Sequence, residues 1–251
     1  MTLLKLALVP LAVWIASLAA RRWGHAVSGY LGGMPLIGGP ITLYLALDHG
    51  AEFAARSATL TLAAILAQAA HLLAFTRVGA HARWPAALGA GWSAFALVAC
   101  AVAAVPLTPL VALALAALGL VAAALWLPRP RADAPPPRIP PLELRLRLAA
   151  ALVLAAVILW AARELGPVVS GILLSVPVTG SIMPPFTLAL YGNDALARLA
   201  RGFTVGLSGF AAFFCVIAIT VVPLGIAAAF AGAVVAALAV LFAISQMRMR
   251  M

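Results

Sequence analysis

Charge is what this sequence lacks. Only 9% of its 251 residues are Asp, Glu, Lys or Arg, and just six of those are acids, whereas a soluble domain carries about 25% charged residues. With 66% hydrophobic residues and a mean hydropathy of +1.16, the chain reads as an all-α polytopic integral membrane protein. Cysteine is nearly absent too. Cys100 and Cys215 both lie inside apolar runs, which excludes a disulfide framework or a cysteine metal site and leaves two reduced thiols. No GxSxG, HExxH, P-loop or dinucleotide fingerprint occurs. An intramembrane enzyme needs a nucleophile–base pair or a metal constellation. None is evident, so no catalytic residue, metal or cofactor is expected. A net charge of +10 would point to nucleic acid in a soluble protein. Here, Arg beside anionic lipid headgroups accounts for it, and no nucleic-acid partner is expected.

What the chain does have is long apolar runs. About 20 apolar residues span the hydrocarbon of a bilayer as a helix. By that measure there are nine spans: Leu3–Ala20, Ala26–Leu47, Phe53–Thr76, Trp84–Val105, Leu107–Leu127, Leu146–Ala162, Val168–Tyr191, Ala195–Val221 and Pro223–Ser245. The fourth and fifth are separated only by Pro106. Between the fifth and sixth lies PRPRADAPPPRIPPLELRLR, whose proline density predicts an extended loop. The early Lys5 and the Arg21-Arg22 pair, without a small-residue cleavage site, favour a retained first helix over a signal peptide.

Charge placement orients these spans. With the N-terminus outside, one side receives Arg21, Arg22, Arg77, Arg83, Arg129, Arg131, Arg138, Arg145, Arg147, Arg198, Arg201, Arg248 and Arg250. The other receives only Lys5, Arg56 and Arg163. This is a strong positive-inside bias. It predicts a multi-pass protein of the bacterial inner membrane with its C-terminus in the cytoplasm.

The chain also repeats itself. Gly24–Arg56 lies over Gly166–Arg198 without a gap at an offset of 142 residues. Gly24 matches Gly166, Val27 matches Val169, Ser28-Gly29 matches Ser170-Gly171, Pro35 matches Pro177, Gly50 matches Gly192 and Arg56 matches Arg198. A chain rich in Ala and Leu gives chance matches of those residues, but not of Ser-Gly, Pro, Gly and Arg in one register. The copies start five spans apart, an odd number, so they are antiparallel. The expected architecture is 4+1+4. Residues 1–105 form a first inverted repeat, 106–144 a connector helix with the Pro-rich cytoplasmic loop, and 145–251 the second repeat. Inverted repeats related by a pseudo-two-fold axis in the membrane plane recur in secondary transporters.

Spans two and seven are poor continuous helices. The second carries Gly29, Gly32, Gly33, Pro35, Gly38, Gly39 and Pro40, and the seventh carries Pro177, Gly180, Pro184 and Pro185. Interior Pro removes a backbone hydrogen bond, and a break survives in lipid only against protein or a wet cavity. Interruptions are therefore predicted at Met34–Thr42 and Val176–Thr187, near the midplane and facing each other. Half-helix N-termini suit an anionic group. The candidate substrate-binding residues are Ser28, Gly29, Pro35, Gly39, Thr42, Tyr44, Ser170, Gly171, Pro177, Thr179, Ser181 and Thr187. The competing account is that Gly and Pro serve close helix packing. Gly202, Gly206 and Gly209 form such a packing stripe, and Arg201 is expected to snorkel to the cytoplasmic surface.

All six acids, Asp48, Glu52, Asp133, Glu143, Glu164 and Asp194, fall in predicted loops or at span ends, so no buried proton- or Na⁺-carrying carboxylate is expected. Glu52/Arg56 and Asp194/Arg198 read as i,i+4 structural pairs. Gln68 and His71 share a face deep in span three. Both are candidates for a coupling or polar-relay role, as is Asp48, though an interhelical hydrogen bond accounts for Gln68 and His71 equally well. Their counterparts in the second copy are Phe210 and Phe213.

The segments AVSGYLGGMPLIGG and VSGILLSVPVTGSI resemble the GlpM-like small four-span bacterial membrane proteins. That resemblance implies no substrate, but it implies an origin in a four-span unit duplicated and fused through an extra helix. The functional expectation is a permease or flippase. It would move a small anionic molecule or a lipid-linked phosphate by alternating access, a lipid being accommodated if the cleft between the repeats opens sideways. A non-transporting scaffold or accessory subunit is the alternative. The bilayer is an expected partner, and a homodimer is compatible with the sequence.

Overall fold

The computed structural model describes residues 2–131, 139–164 and 177–249. Its elements are helices: α1 Thr2–Trp23, α2 His25–Gly33, α3 Gly38–His49, α4 Ala51–Ala63, α5 Ile65–Gly79, α6 Trp84–Ala103, α7 Pro109–Trp126, α8 Pro141–Glu164, α9 Val178–Leu224 and α10 Ile226–Met249. Among the described residues, six helical runs are long and apolar enough to cross a membrane: His25–His49, Ala51–Gly79, Trp84–Ala103, Pro109–Trp126, Val178–Leu224 and Ile226–Met247. The chain is a helical membrane protein. Pro106 does separate two helices. α6 ends at Ala103, and α7 opens with Pro109 in its first turn, where Thr108 accepts a hydrogen bond from Val111 N at 3.3 Å. Cys100 and Cys215 are both free thiols.

Single glycines turn the chain. Gly50 (φ 87°, ψ 172°) joins α3 to α4, and Gly192 (φ 76°, ψ −173°) divides α9 into arms 178–191 and 193–224. This region of backbone space is open essentially to glycine alone. At both positions an added Cβ would meet nothing within 4 Å, so the requirement is purely conformational. Gly24 and Gly225 turn the chain the same way. The arms of each turn then pack together. Ala46 lies with Ala54 and Ala58, Leu199 with Ile182 and Met183, and Phe213 meets Phe230 edge-on with centroids 6.0 Å apart.

The connectors gather at two ends. At one, Asn193 Nδ2 donates to Ala80 O (3.5 Å), Arg131 N donates to Asp194 Oδ1 (2.7 Å), and Tyr191 reaches both Glu143 and His25. At the other, Ala46, Ala51, Val102, Leu107, Val221 and Ile226 share one apolar cluster. The segments richest in arginine therefore meet at a common end.

Element boundaries recur at the register of the sequence repeat. Gly50 and Gly192 occupy the same rare conformation 142 residues apart, and α6 and α10 begin at Trp84 and Ile226, again 142 apart. Gly39 N donates to Pro35 O at 2.9 Å, and Ser181 N donates to Pro177 O at 2.7 Å, the same bond in aligned residues. The copies differ at Gly225, whose counterpart Arg83 is extended (φ −71°, ψ 158°) after a longer α5–α6 connector.

The second span is broken, as its prolines and glycines predict, but only over residues 34–37. For the seventh, helix runs unbroken from Val178 through Pro184, Pro185 and Thr187. The predicted interruption at Val176–Thr187 is thus corrected over its described part. The reason is that a neighbouring helix supplies the donor that Pro184 lacks.

Candidate functional site

The site is built around the contact between α2 and the long arm of α9. Their backbones touch through two glycine pairs spaced four apart. A Cβ on Gly29 would overlap the Leu199 carbonyl, and one on Gly33 the Phe203 carbonyl. In return, one on Gly202 would overlap the Ala26 carbonyl and one on Gly206 the Tyr30 carbonyl. This is small-residue packing of the kind that joins helices in lipid, and it accounts for Gly29 and for the Gly202–Gly206 stripe. Gly209 faces the Leu241 side chain.

Directly beside this contact the start of α9 meets the end of α2. Thr179 Oγ1, in the first turn of α9, donates to Gly32 O at 2.8 Å, in the last turn of α2. Leu31, Ile37 and Val178 pack around the buried Ile182, Met183 and Leu199. The break in the second span and the start of α9 are therefore neighbours.

Behind Thr179, a proline sets up a further exchange. Pro184 has no N–H, so Gly180 O loses its normal helical partner. The buried His71, on α5, donates to that oxygen from Nε2 at 3.3 Å. Gly91 leaves room for the imidazole, since a Cβ there would lie 3.0 Å from it. In the first copy the aligned carbonyl, Gly38 O, accepts from the hydroxyl of Thr42 at 2.8 Å, and Thr42 aligns with Pro184. Gln68 is buried on the same helix.

At the arginine-rich end lies a cluster that the sequence reading missed. Arg147 is 0% exposed and Glu143 5% exposed, and they pair on α8 at 2.5 Å. Tyr191 Oη donates to the second Glu143 oxygen at 2.6 Å. The buried His25 ring lies 4.8 Å from the Tyr191 ring. Glu143, expected at a span end, is a buried carboxylate near the start of α8. The missed signal was helical periodicity. Glu143, Arg147, Ala151 and Ala155 recur every four residues on the buried face of α8, whereas Arg145 is exposed.

A cavity of about 930 Å³ opens between α6, α8 and the short arm of α9. Apolar side chains such as Trp92, Leu154 and Phe186 form most of its wall, and Ser181, Glu143 and Tyr191 give its polar points. Trp84, Leu142, Leu146 and Leu190 border it while remaining exposed, so the cavity is open at the outer surface of the helices. Its walls come from chain segments far apart in sequence, residues 84–92, 140–154 and 181–191. The exposed Arg83 and Arg145 flank its bordering residues in sequence.

The candidate residues divide on this geometry. Ser181 lines the cavity, and its hydroxyl, like those of the buried Ser28 and Thr187, has no partner among the described residues. The hydroxyls of Thr42 and Thr179 are engaged by backbone carbonyls. Pro35 and Gly39 shape the restart of the broken span, Gly39 against the Phe213 ring. Pro177 caps α9. Tyr44 is half-buried on α3, and Asp48 is exposed at the far end. Ser170 and Gly171 lie outside the described residues. Asp194 pairs with Arg198 at 2.7 Å, while Glu52 and Arg56 form no ion pair among the described residues. Arg201 donates to Leu127 O (2.7 Å) and Pro128 O (2.9 Å), at the C-terminus of α7. Among the described residues no group of His, Cys, Asp and Glu is placed to hold a metal. No family model, curated protein or solved structure matches the chain.

Proposed function

We propose that the chain is a bacterial inner-membrane transporter that moves an anionic amphiphile, a lipid-linked phosphate, by alternating access between two inverted four-span repeats. The observation that carries this reading is the apolar cavity open at the outer surface of the helices. Its size lies at the upper end of the 300–1,000 Å³ typical of ligand sites. An acyl or prenyl chain suits its walls, and the exposed Arg83 and Arg145 suit a phosphate at its border. A small hydrophilic anion would find little to bind there. The glycines no longer support the reading, because packing accounts for them. The shared 142-residue register and the contact between Gly32 and Thr179 support the repeat, with α7 as the connector, nine spans in all, N-terminus outside and C-terminus in the cytoplasm.

The test is lipid exchange in vesicles containing the purified chain and a fluorescent phosphatidylglycerol, read by quenching of the outer leaflet. Exchange should require the protein and should be lost when Ala189→Trp fills the cavity. A folded wild-type protein that exchanges no lipid points instead to a scaffold or accessory subunit. Topology is tested separately with reporters in the 80–83 and 104–108 connectors and at both termini. The first connector and the C-terminus should be cytoplasmic, and the second connector and the N-terminus outside. Both termini on one side would end the inverted-repeat reading.

A further inference from the structure

One end of the cavity carries a carboxylate. Glu143 lies in the first turn of α8, Tyr191 stands just before the Gly192 turn of α9, and Trp84 begins α6. All three line the cavity. The exposed Arg83 adjoins Trp84 in sequence, and the exposed Arg145 follows Glu143 by two residues. Ser181 lies ten residues before Tyr191, about 15 Å away along the helix, and belongs to the inner end. Arg147 is fully buried and forms no part of the wall. It donates to Glu143 Oε1, while Tyr191 donates to Oε2. A carboxylate has about four lone-pair sites, so each oxygen keeps one after these two bonds.

The plain alternative is a clip, in which Glu143 ties α8 to α9 through Tyr191. A clip needs no charge. Burying an ion pair usually costs more than an apolar pair of similar volume would, and Ala151 and Ala155 show that the same face of α8 takes apolar residues. Nor does a clip need a place on the wall of a cavity. What an acceptor there can take follows from charge. A phosphate against Glu143 is repelled. An ammonium gains little, because Arg147 already balances the carboxylate and Arg83 and Arg145 disfavour a cation at the border. A hydroxyl brings no charge and still donates in a charge-assisted hydrogen bond.

We propose that Glu143 is the specificity-determining acceptor of this cavity, selecting an amphiphile whose phosphate head carries hydroxyl groups, as a glycerol or a sugar does. The proposal rests on the lipid-transport reading and names the head group which that reading leaves open. The apolar chain fills the cavity, the phosphate stays at the border with Arg83 and Arg145, and a head-group hydroxyl donates to Glu143. Arg147 is a positioning residue. It holds the carboxylate and does not touch the ligand. A lipid of equal charge without a hydroxyl leaves the carboxylate one bond short. Sites built to hydrogen-bond a ligand hydroxyl discriminate strongly against analogues that lack it, for this reason.

The experiment is equilibrium binding of phosphatidylglycerol, phosphatidylmethanol and phosphatidylethanolamine, with matched acyl chains, to the purified full chain in detergent. Phosphatidylglycerol and phosphatidylmethanol carry the same charge and differ in head-group hydroxyls. Wild-type protein should prefer phosphatidylglycerol to phosphatidylmethanol by about tenfold or more. The double change Glu143→Leu with Arg147→Met removes both charges together, avoiding a lone buried charge. It should bind these two lipids alike and keep its affinity for phosphatidylmethanol. Glu143→Gln with Arg147→Met retains a neutral acceptor of the same shape and should show an intermediate preference, which serves the test if the first variant does not fold. A mere clip would change the unfolding temperature of these variants and leave the ratio of the two lipids alone. Equal binding of the two by wild-type protein overturns the proposal. So does an unchanged ratio in either double variant, or tightest binding of phosphatidylethanolamine. Wild-type protein that binds none of the three overturns the lipid-transport reading as well. The expected ratios without exchange in vesicles remove transport alone.

Discussion

His71 donates to the carbonyl that Pro184 leaves without a partner. The two residues sit on different helices, and each explains the other. In the aligned position of the first copy, Thr42 keeps its N–H and adds a hydroxyl bond to Gly38 O. No outside donor is needed there, and the counterpart of His71 is Phe213. The pairing predicts a measurable coupling. His71→Phe should cost roughly 1–3 kcal/mol, the penalty of leaving a buried acceptor unpaired. In a Pro184→Thr background the same change should cost much less. A double-mutant cycle by unfolding in detergent gives the interaction directly. Equal costs in both backgrounds would show that His71 is not serving this carbonyl.

The one-residue turns make a second, independent prediction. Gly50→Ala and Gly192→Ala place a Cβ where nothing obstructs it, so any loss comes from the backbone alone. Each should cost about 1–3 kcal/mol, seen as a lower unfolding temperature of the purified protein. A neutral result at both positions would mean the chain turns there by another conformation.

Steric loss is predicted elsewhere. Gly202→Ala drives a methyl into the Ala26 carbonyl, and Gly29→Ala drives one into the Leu199 carbonyl. Overpacking of this kind costs typically about 1–3 kcal/mol and occasionally more. Gly89→Ala on α6 meets open space and should be neutral or stabilising, because Ala is the better helix former. Thermal stability of the three variants decides the matter. Similar behaviour of all three would contradict a backbone-to-backbone contact between α2 and α9.

Much of the helical layout was legible in sequence because lipid makes strict demands. Apolar run length marked the helices, six of which are long and apolar enough to cross a membrane among the described residues. Pro106 divided two helices as expected. The break in span two was legible as well, since its prolines lie among five glycines that leave no competing helical bias. Span seven read as broken for its three prolines, yet its helix continues from Val178. Sequence shows which donor a proline removes but not which distant residue replaces it, and His71 lies over a hundred residues away. Glu143 and Arg147 were missed for a related reason. At the end of a predicted span, charge alone suggests water, and only the four-residue spacing with Ala151 and Ala155 places the pair on the inner face.

The one-residue turns also determine where this chain tolerates changes in length. A residue inserted into α3, α4, α9 or α10 rotates everything beyond it by about 100° and advances it by about 1.5 Å, and a turn of one glycine has no slack to absorb either. The connectors at residues 80–83 and 104–108 do have slack. Viable insertions and deletions should therefore collect in those two places rather than at the one-glycine turns, leaving the hairpins as units of invariant length.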